Sequence, residues 1–431
     1  MDATAKIQQG ECKEVVPRSS SGFVKRAMRL VSSYSYRVPY CVPYWNAKTY
    51  HALLRCISRG HVIEGPDREP LAKRLATFLS VPDVILCGSG RVAIELALRA
   101  LNVTMGAEVV VPTFCCISII PPILAVGAVP VFADVGDQLT LTPETVAAVL
   151  SPRTRAVIVP HLFGNCADIE GILSLCHSRH IRVIDDAAQA VGATLAGQSL
   201  GTFGDAGLMS FGNGKVCFGT GGGVLIAKDP EVIERARQVP LTPSAARAAL
   251  HTALSVTLWR RWRRWSLPVK IITARTMGTD GKVQAYSRMA MSNLDAAVTS
   301  TLLDTLADNL RARRQRVAAY AELLGQETGI QLIPHHPGSA CLTQVMVVNS
   351  DSAETAPITR IVNMLRASGY EVNTSYTPLH LQPAYQCYAI TPLVNAERMW
   401  NRAIELPCEP SVSLQDVEQI AALVRMALTQ S

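Results

Sequence analysis

Two segments of the sequence are the most informative about the fold: Ile181-Arg-Val-Ile-Asp185-Asp186-Ala-Ala-Gln189 and, further along the chain, Ser210-Phe-Gly-Asn-Gly-Lys215. The first predicts an apolar strand whose end carries an acidic pair, and the second predicts a strand that runs into a glycine-bearing loop with a single lysine. Ligands bind at the carboxyl edge of open α/β sheets. We therefore expect Asp186 and Lys215 to lie at that edge.

An acid and a lysine at one sheet edge suit a particular chemistry. Pyridoxal phosphate (PLP) needs an amine to hold its aldehyde and a carboxylate to keep its pyridine nitrogen protonated. Its phosphate needs backbone N–H groups at a helix N-terminus, and Gly88-Ser89-Gly90 lies between a predicted strand and a predicted helix. Each signal alone has an ordinary explanation, because most lysines are solvated and such acids and turns often only cap helices. Their order and spacing favour the PLP hypothesis.

Composition excludes several classes of protein. The chain has 431 residues, of which 48% are hydrophobic, which is enough for two domains with buried cores and excludes disorder over most of it. It has no run of about 18 uncharged apolar residues and no legible signal peptide, so we expect a cytoplasmic protein. The net charge of +7 is spread too widely to indicate nucleic-acid binding. The 12 cysteines form no CxxC pair, so we expect reduced, mostly buried thiols and no metal site.

The pattern along the chain predicts an α/β fold with a mostly parallel sheet in a large domain and a smaller α+β C-terminal domain. Short β-branched runs alternate with helix-length segments from Val84 to Ile226, as in sheets that are covered by helices on both faces. A long helical pattern follows over Leu294–Leu324. We expect an N-terminal arm, a PLP-binding large domain, a connecting segment, and a last part with the long helix and the small domain, with bounds at 1–38, 39–245, 246–290 and 291–431.

Several ordered motifs resemble those of the DegT/DnrJ/EryC1/StrS family of PLP-dependent sugar aminotransferases, from about Tyr40 to the C-terminus. The family's Glu-Asp-Ala-Ala-Gln is similar to residues 185–189, and its Ser-Phe-x-x-x-Lys is similar to residues 210–215. Further similar segments are Ser89–Ile94, Val159–Gly164, Gly219–Gly223, Tyr376–Pro383 and Leu406-Pro407. The resemblance implies the type I fold of PLP-dependent transferases, as in aspartate aminotransferase.

The resemblance also implies roles for single residues. Lys215 is the implied Schiff-base partner and proton shuttle, and Asp186 is the implied partner of the pyridine nitrogen. Further cofactor contacts are implied for Gly90, Gln189 and Ser210, and substrate contacts for His161 and His380. The implied reaction is a ping-pong transamination between an amino acid and a keto sugar that is linked to a nucleotide. The resemblance favours glutamate as the amino donor. A homodimer with active sites at its interface is implied as well.

Four positions depart from the family pattern. Arg91 replaces a threonine that helps to hold the phosphate, and a guanidinium can bind the same anion. Cys116 stands where most members place an aromatic ring against the cofactor, with Phe114 as a partial substitute. Ser375 stands where a histidine is frequent. The asparagine that reaches the partner subunit's phosphate has no clear equivalent, and Arg288 is our candidate. We therefore expect an atypical substrate preference.

Three alternatives remain open from the sequence. A dehydratase-type relative would carry histidine in place of Lys215, so the lysine argues against that branch. A nicotinamide dehydrogenase would require a third glycine that the segment 88–93 lacks. A PLP-fold relative that has lost its activity and serves in binding or regulation is conceivable because of Arg91 and Cys116, although the lysine and the aspartate persist.

A tryptophan- and arginine-rich segment has no counterpart in the family pattern. Trp259, Trp262 and Trp265 alternate with four arginines, and at helical spacing this composition is typical of a helix on an anionic bilayer. It is equally typical of a helix at a subunit interface, which we favour. Peripheral contact with the inner face of a membrane is the weaker hypothesis.

Overall fold

The protein is described from a computed structural model, which covers residues 36–257, 286–348, 356–374 and 376–429. Most of the predicted N-terminal arm, Ser375 and all three residues Trp259, Trp262 and Trp265 lie outside these ranges, so the hypotheses that concern them stay predictions. Among the described residues, none of the helices combines the length and the apolarity that crossing a bilayer requires.

A seven-stranded sheet forms the centre of the larger unit, in the order β1-β9-β8-β5-β4-β2-β3. The seven strands of this sheet are β1 (Asp83–Cys87), β2 (Glu108–Pro112), β3 (Val129–Ala133), β4 (Thr154–Pro160), β5 (Arg182–Asp186), β8 (Ala206–Ser210) and β9 (Gly223–Ala227). A separate two-stranded hairpin consists of β6 (Thr194–Leu195) and β7 (Gln198–Ser199). The strands from β8 to β3 run parallel, whereas β9 is antiparallel to both of its neighbours. The predicted mostly parallel sheet is confirmed.

Helices cover both faces of this sheet. They are α1 (Ala47–Ser58), α2 (Arg68–Leu79), α3 (Gly90–Ala100), α4 (Ile120–Ala125), α5 (Pro143–Ala147), α6 (Ile169–His177), α7 (Pro230–Arg237), α8 (Ala246–Val256) and α9 (Asn293–Asp304). Val110 and Val157 pack with α1, α2 and α9 on one face, whereas Val109 and Ile158 pack with α3 and α4 on the other. The central strands are therefore buried on both faces, which explains their nearly continuous apolar sequence.

The C-terminal part contains a second, antiparallel sheet in the order β10-β11-β13-β12. Its elements are α10 (Leu306–Leu324), β10 (Ile330–Leu332), β11 (Gln344–Val348), α11 (Ala356–Ala367), β12 (Asn373–Thr374), α12 (Val394–Trp400), β13 (Ala403–Leu406) and α13 (Leu414–Thr429). Tyr320, Ile361 and Val417 join the sheet in one apolar core. Val38 extends this part, since its N–H donates to the Gly369 carbonyl at 3.0 Å.

The structure differs from the sequence expectation in one local feature. The long helix expected over Leu294–Leu324 is two helices, α9 and α10, because Thr305 (φ −103°, ψ 3°) leaves the helical conformation between them. Ten of the described cysteines are free, and nine of these are buried, as expected from the sequence. The domain bounds that we drew from the sequence stay predictions.

Candidate active site

The carboxyl ends of β4, β5 and β8 meet at one edge of the large sheet, and a cavity of about 560 Å³ opens there. Asp186 lies opposite Pro160 on one side and Leu208 on the other, so the strand register alone brings the three segments together. Most of the predicted site residues line this cavity: Gly90, Arg91, Cys116, His161, Asp186, Gln189, Ser210 and Lys215.

Asp186 presents a shielded carboxylate to the cavity. It is 9% exposed, and its Oδ1 accepts a hydrogen bond from the Ala188 N–H at 2.8 Å. Burial raises the pKa of Asp186, against the lowering effects of the Ala188 amide and of the charge on Lys215. Oδ2 accepts no hydrogen bond from the described residues, so it can accept one from a ligand with a protonated ring nitrogen.

Asp185 and His161 form a fully buried pair behind Asp186. His161 Nε2 lies 2.7 Å from Asp185 Oδ1, and Asp185 Oδ2 accepts hydrogen bonds from the N–H groups of Gly201 and Phe203, both at 2.8 Å. Burial is the largest single effect and lowers the pKa of His161, but the charge and hydrogen bond of Asp185, together with the contact to Cys166, raise this pKa above its ordinary value.

The hydrogen bonds nevertheless identify the tautomer of His161. The Ala167 N–H donates to Nδ1 at 3.1 Å, which requires a lone pair there, so this geometry holds the neutral ring with its proton on Nε2. The side chain of His161 is 0% exposed. His161 borders the cavity, but its buried ring is bonded to Asp185, and the substrate contact expected for it stays a prediction.

Lys215 follows a tight turn between β8 and β9. Its N–H donates to the Gly212 carbonyl at 3.3 Å, and Gly214 has φ +78°, a conformation that L residues rarely adopt. The turn places Lys215 on the cavity wall, where its positive charge contributes to lowering the pKa of Asp186. The amine and the carboxylate that the sequence singled out thus belong to one site.

The N-terminus of α3 forms the end of the cavity that suits an anion. Ser89 caps the helix, since its Oγ accepts from the Val92 N–H at 3.4 Å. A Cβ on Gly90 would lie 3.2 Å from Ser210 Cβ, so only glycine lets the helix start approach Ser210 this closely. Arg91 lines the same end, with its guanidinium carbon 5.5 Å from the centre of the Tyr286 ring. Helix N-termini with nearby hydroxyl and guanidinium groups bind phosphate.

Gln189 links the cavity to an aromatic cluster. Its Oε1 accepts from the Phe163 N–H and its Nε2 donates to the Tyr376 hydroxyl, both at 3.0 Å. The rings of Phe163 and Tyr376 stack at 6.0 Å. Burial raises the pKa of Tyr376, so its phenol stays protonated at neutral pH.

Phe114 does not take the position that the sequence suggested for it. It is 0% exposed, packs 6.3 Å from the Tyr376 ring, and is not among the described residues that line the cavity. Cys116, two residues later, does line the cavity. Cys116 thus stands where most members of the family place the stacking aromatic ring, and Phe114 does not replace that ring.

Two further predicted residues lie away from the cavity. Arg288 does not line the cavity, and its Nε lies 3.0 Å from Oε1 of Glu95 in the same chain. His380 Nδ1 lies 2.7 Å from Thr113 Oγ1, and its Nε2 lies 3.0 Å from Glu397 Oε1. Both side chains have protein partners in the described chain, and the ligand contacts expected for them stay predictions.

Residues that the sequence did not reveal complete the cavity wall, and they include Tyr40, Arg313, Asn373, Glu405 and Glu409. Glu405 Oε2 accepts hydrogen bonds from the Tyr40 hydroxyl at 2.8 Å and from Asn373 Nδ2 at 3.1 Å. Removal of its carboxyl group from bulk water raises the pKa of Glu405. Only the neighbouring Leu406-Pro407 landmark pointed to this region of the sequence.

Comparison with known proteins agrees with the geometry. A UDP-N-acetyl-3-dehydro-alpha-D-glucosamine 3-aminotransferase of Acidithiobacillus ferrooxidans is 30% identical over 373 residues, which cover 85% of this chain and 90% of that protein. A dTDP-4-dehydro-2,3,6-trideoxy-D-glucose 4-aminotransferase of Saccharopolyspora spinosa is 29% identical over 363 residues, which cover 83% of this chain and 88% of that one.

A solved structure shows the same fold. The aminotransferase TlmJ from Streptoalloteichus hindustanus superposes with a TM-score of 0.74 at 27% identity, over 91% of this chain and 98% of that one. The sequence pattern of the DegT/DnrJ/EryC1/StrS aminotransferase family matches residues 44–425. With the type I fold and this match over most of its length, the chain belongs to the DegT/DnrJ/EryC1/StrS aminotransferase family.

Proposed function

We propose that the protein is a PLP-dependent aminotransferase that moves an amino group from an amino acid to a nucleotide-linked keto sugar. Glutamate is the amino donor that we favour. The observation that carries this proposal is one cavity that is lined by Asp186, Lys215 and the N-terminus of α3. Relatives that act on UDP- and dTDP-linked sugars support the acceptor class. Such a reaction serves the synthesis of glycans, polysaccharides or secondary metabolites.

The cavity fits PLP on three counts. Asp186 Oδ2 is available to a ring nitrogen, Lys215 supplies the amine for the aldehyde, and Gly90 leaves room beside Ser210 for a phosphate. PLP, when bound, supplies an electron-withdrawing ring that stabilises negative charge on the substrate carbon that carries the amino group.

The residues of the chain then have distinct tasks. Asp186 would keep the ring nitrogen of bound PLP protonated, and the Asp185–His161 pair fixes the strand end from which Asp186 projects. Lys215 Nζ would move a proton between the α-carbon of the amino donor and the C4′ carbon of the cofactor. Gln189 is held between Phe163 and Tyr376, so its side chain has a fixed position in the cavity before any ligand binds, and it would contact the ring of bound PLP.

The test is incubation with L-glutamate and a panel of UDP-, dTDP- and GDP-linked keto sugars, followed by mass spectrometry. We expect a 2-oxo acid to be released from glutamate and an amino sugar to form with at least one acceptor. Lys215→Ala serves as the inactive control. A PLP-loaded protein that releases no oxo acid from any amino acid and aminates none of the sugars would contradict the proposal.

A further inference from the structure

Arg313 is a buried arginine whose hydrogen-bond donors are only partly used. It belongs to α10, is 9% exposed and contributes to the cavity wall. Its Nε donates to Asn309 Oδ1 at 3.0 Å. Its two Nη groups have neither a hydrogen bond nor an ion pair with the described residues, and they are not sealed from the cavity. Arg313 thus offers the two Nη groups of its guanidinium to a ligand in the cavity.

Arg316, one turn later in the same helix, provides the contrast. Its Nε, Nη1 and Nη2 donate to the carbonyl oxygens of Val412, Ala312 and Pro410. All three nitrogens of Arg316 therefore have acceptors within the protein. Buried donors without acceptors are costly, so a ligand that brings acceptors to Arg313 would bind favourably.

The acidic neighbours of Arg313 do not use its Nη groups. Glu405 and Glu409 line the same wall, but neither forms an ion pair with Arg313 within 4.0 Å in the described chain. Burial raises the pKa of Glu405, which favours its neutral form. Arg313 and Arg316 match the two carboxyl groups in number, so this wall has no excess of negative charge that would repel an anion.

Arg313 is tied to the turn that carries Lys215. Asn309, which accepts from Arg313, donates through its Nδ2 to the Val216 carbonyl at 3.1 Å. Val216 directly follows Lys215, and both residues line the same cavity as Arg313. An anion on the Nη groups of Arg313 would therefore lie on the side of the cavity where Lys215 acts.

The position beside Lys215 suits one anionic group of the proposed substrates. The α-carboxylate of an amino donor is bonded directly to the carbon that reacts. The phosphates of a nucleotide-linked sugar, by contrast, are attached at a different carbon of the sugar from the one that reacts. A planar carboxylate also offers two oxygens to the two Nη groups, and such a contact is both charge-assisted and bidentate.

We propose that Arg313 binds the α-carboxylate of the amino donor and of the 2-oxo acid that the donor becomes. This rests on the proposed function and deepens it, because it assigns a residue to the recognition of the donor. Arg313 then selects donors that carry a carboxylate on the reacting carbon.

The test measures by calorimetry how two ketones bind to the PLP-loaded protein. In 2-oxobutyrate the carboxylate is bonded to the ketone carbon, whereas in 4-oxopentanoate two CH₂ groups separate them. Neither ketone has an amino group, so binding is observed without reaction. Arg313→Gln should weaken the binding of 2-oxobutyrate about 10- to 100-fold, as the loss of charge-assisted hydrogen bonds predicts, and should change that of 4-oxopentanoate by less than about 3-fold.

Two further variants serve as controls. Arg313→Lys, which keeps the charge without the two Nη groups, should recover part of the affinity for 2-oxobutyrate. Arg311→Gln, which removes an exposed arginine of the same helix from its pair with Asp308, should bind both ketones like the unmodified protein. The visible absorption of bound PLP and the melting temperature show whether each variant is folded. If Arg313→Gln fails to fold, Arg313→Lys decides, because it should still bind 2-oxobutyrate more weakly than the unmodified protein does.

Several outcomes would overturn the proposal. The first two are no binding of 2-oxobutyrate by the unmodified protein, and an unchanged affinity for it in Arg313→Gln. Equal losses for both ketones would indicate a general attraction of anions, and a loss for 4-oxopentanoate alone would assign Arg313 to a distal carboxylate. Failure of the proposed transamination is distinguishable, since no sugar takes part in the binding comparison.

Discussion

Asp185 and Asp186 are neighbours in sequence but have different environments, because successive side chains of a strand point in opposite directions. Asp185 receives three hydrogen-bond donors, from His161, Gly201 and Phe203, and is 0% exposed. Asp186 receives one amide and faces the cavity with Lys215. The first carboxylate is therefore structural, and the second is available for a ligand.

Lys215→Ala should abolish the covalent attachment of PLP. Lys215 contributes an amine to the cavity wall. We expect the purified protein to show the absorption band of a protonated aldimine at the edge of the visible range, and we expect borohydride reduction to fix PLP on Lys215. Lys228→Ala is the matched control, since Lys228 is exposed just beyond the end of β9. If Lys215→Ala still forms a borohydride-stable PLP adduct, the assignment of Lys215 is wrong.

Asp186→Asn should leave the fold intact and lower turnover by about 10²-fold or more, because an unprotonated ring is a poor acceptor of electrons. Single-turnover release of the 2-oxo acid measures the effect. Asp137→Asn, which removes a charge from an exposed surface pair with Arg398, should have normal turnover. Near-normal turnover in Asp186→Asn would exclude Asp186 from this role.

Different turns of helix α3 have different roles: one borders the cavity, and the next binds a neighbouring segment of the chain. Its first turn faces the cavity, whereas Glu95, in the second turn, is 3% exposed and binds residues from outside the helix. Arg288 Nε lies 3.0 Å from its Oε1, and the Tyr286 hydroxyl donates to its Oε2 at 2.6 Å. These contacts secure the segment after residue 285 against the helix that presents the phosphate end of the cavity.

Glu95→Gln should lower the free energy of unfolding by about 1–3 kcal/mol, because it leaves partly buried guanidinium groups with a neutral partner. Chemical denaturation measures the change. The exposed helix pair of Glu69 and Lys73 offers the control, and Glu69→Gln should change stability by less than about 0.5 kcal/mol. Equal effects of the two substitutions would show that the contacts of Glu95 do not stabilise the fold.

At the scale of the whole molecule, the cavity is built from both sheets. The large sheet contributes Asp186 and Ser210 from its strand ends, and the small sheet contributes Asn373 and Glu405. A relative movement of the two parts would therefore change the width of the cavity without breaking either core.

We expect a homodimer in solution, as the family resemblance implies, with active sites near the interface. Light scattering should give twice the mass of one chain. A protein that is strictly monomeric and fully active would contradict this prediction. The reach of Arg288 into a partner subunit stays a prediction, and it would require this side chain to leave its ion pair with Glu95.

The tryptophan- and arginine-rich segment can be tested by co-sedimentation with liposomes that contain anionic lipid. If it lies on a membrane, Trp259→Ala, Trp262→Ala and Trp265→Ala together should abolish binding, because the apolar face is lost. The subunit-interface hypothesis, which we favour, predicts no lipid binding and a weaker dimer in the triple variant. Binding that survives both the triple substitution and high salt would discard the membrane hypothesis.

The mostly parallel sheet and the meeting of Asp186 with Lys215 could be predicted from the sequence, because each depends on a contiguous motif and on strand ends that share one edge. Which side chains remain available to ligands depends on the three-dimensional packing. Tyr40 bonds Glu405 across 365 residues, and no local pattern records such a contact. Arg288 and His380 matched the expected chemistry but were taken by Glu95 and Glu397. A motif specifies residue types at short range, whereas the availability of a charge depends on partners that packing brings from distant parts of the chain.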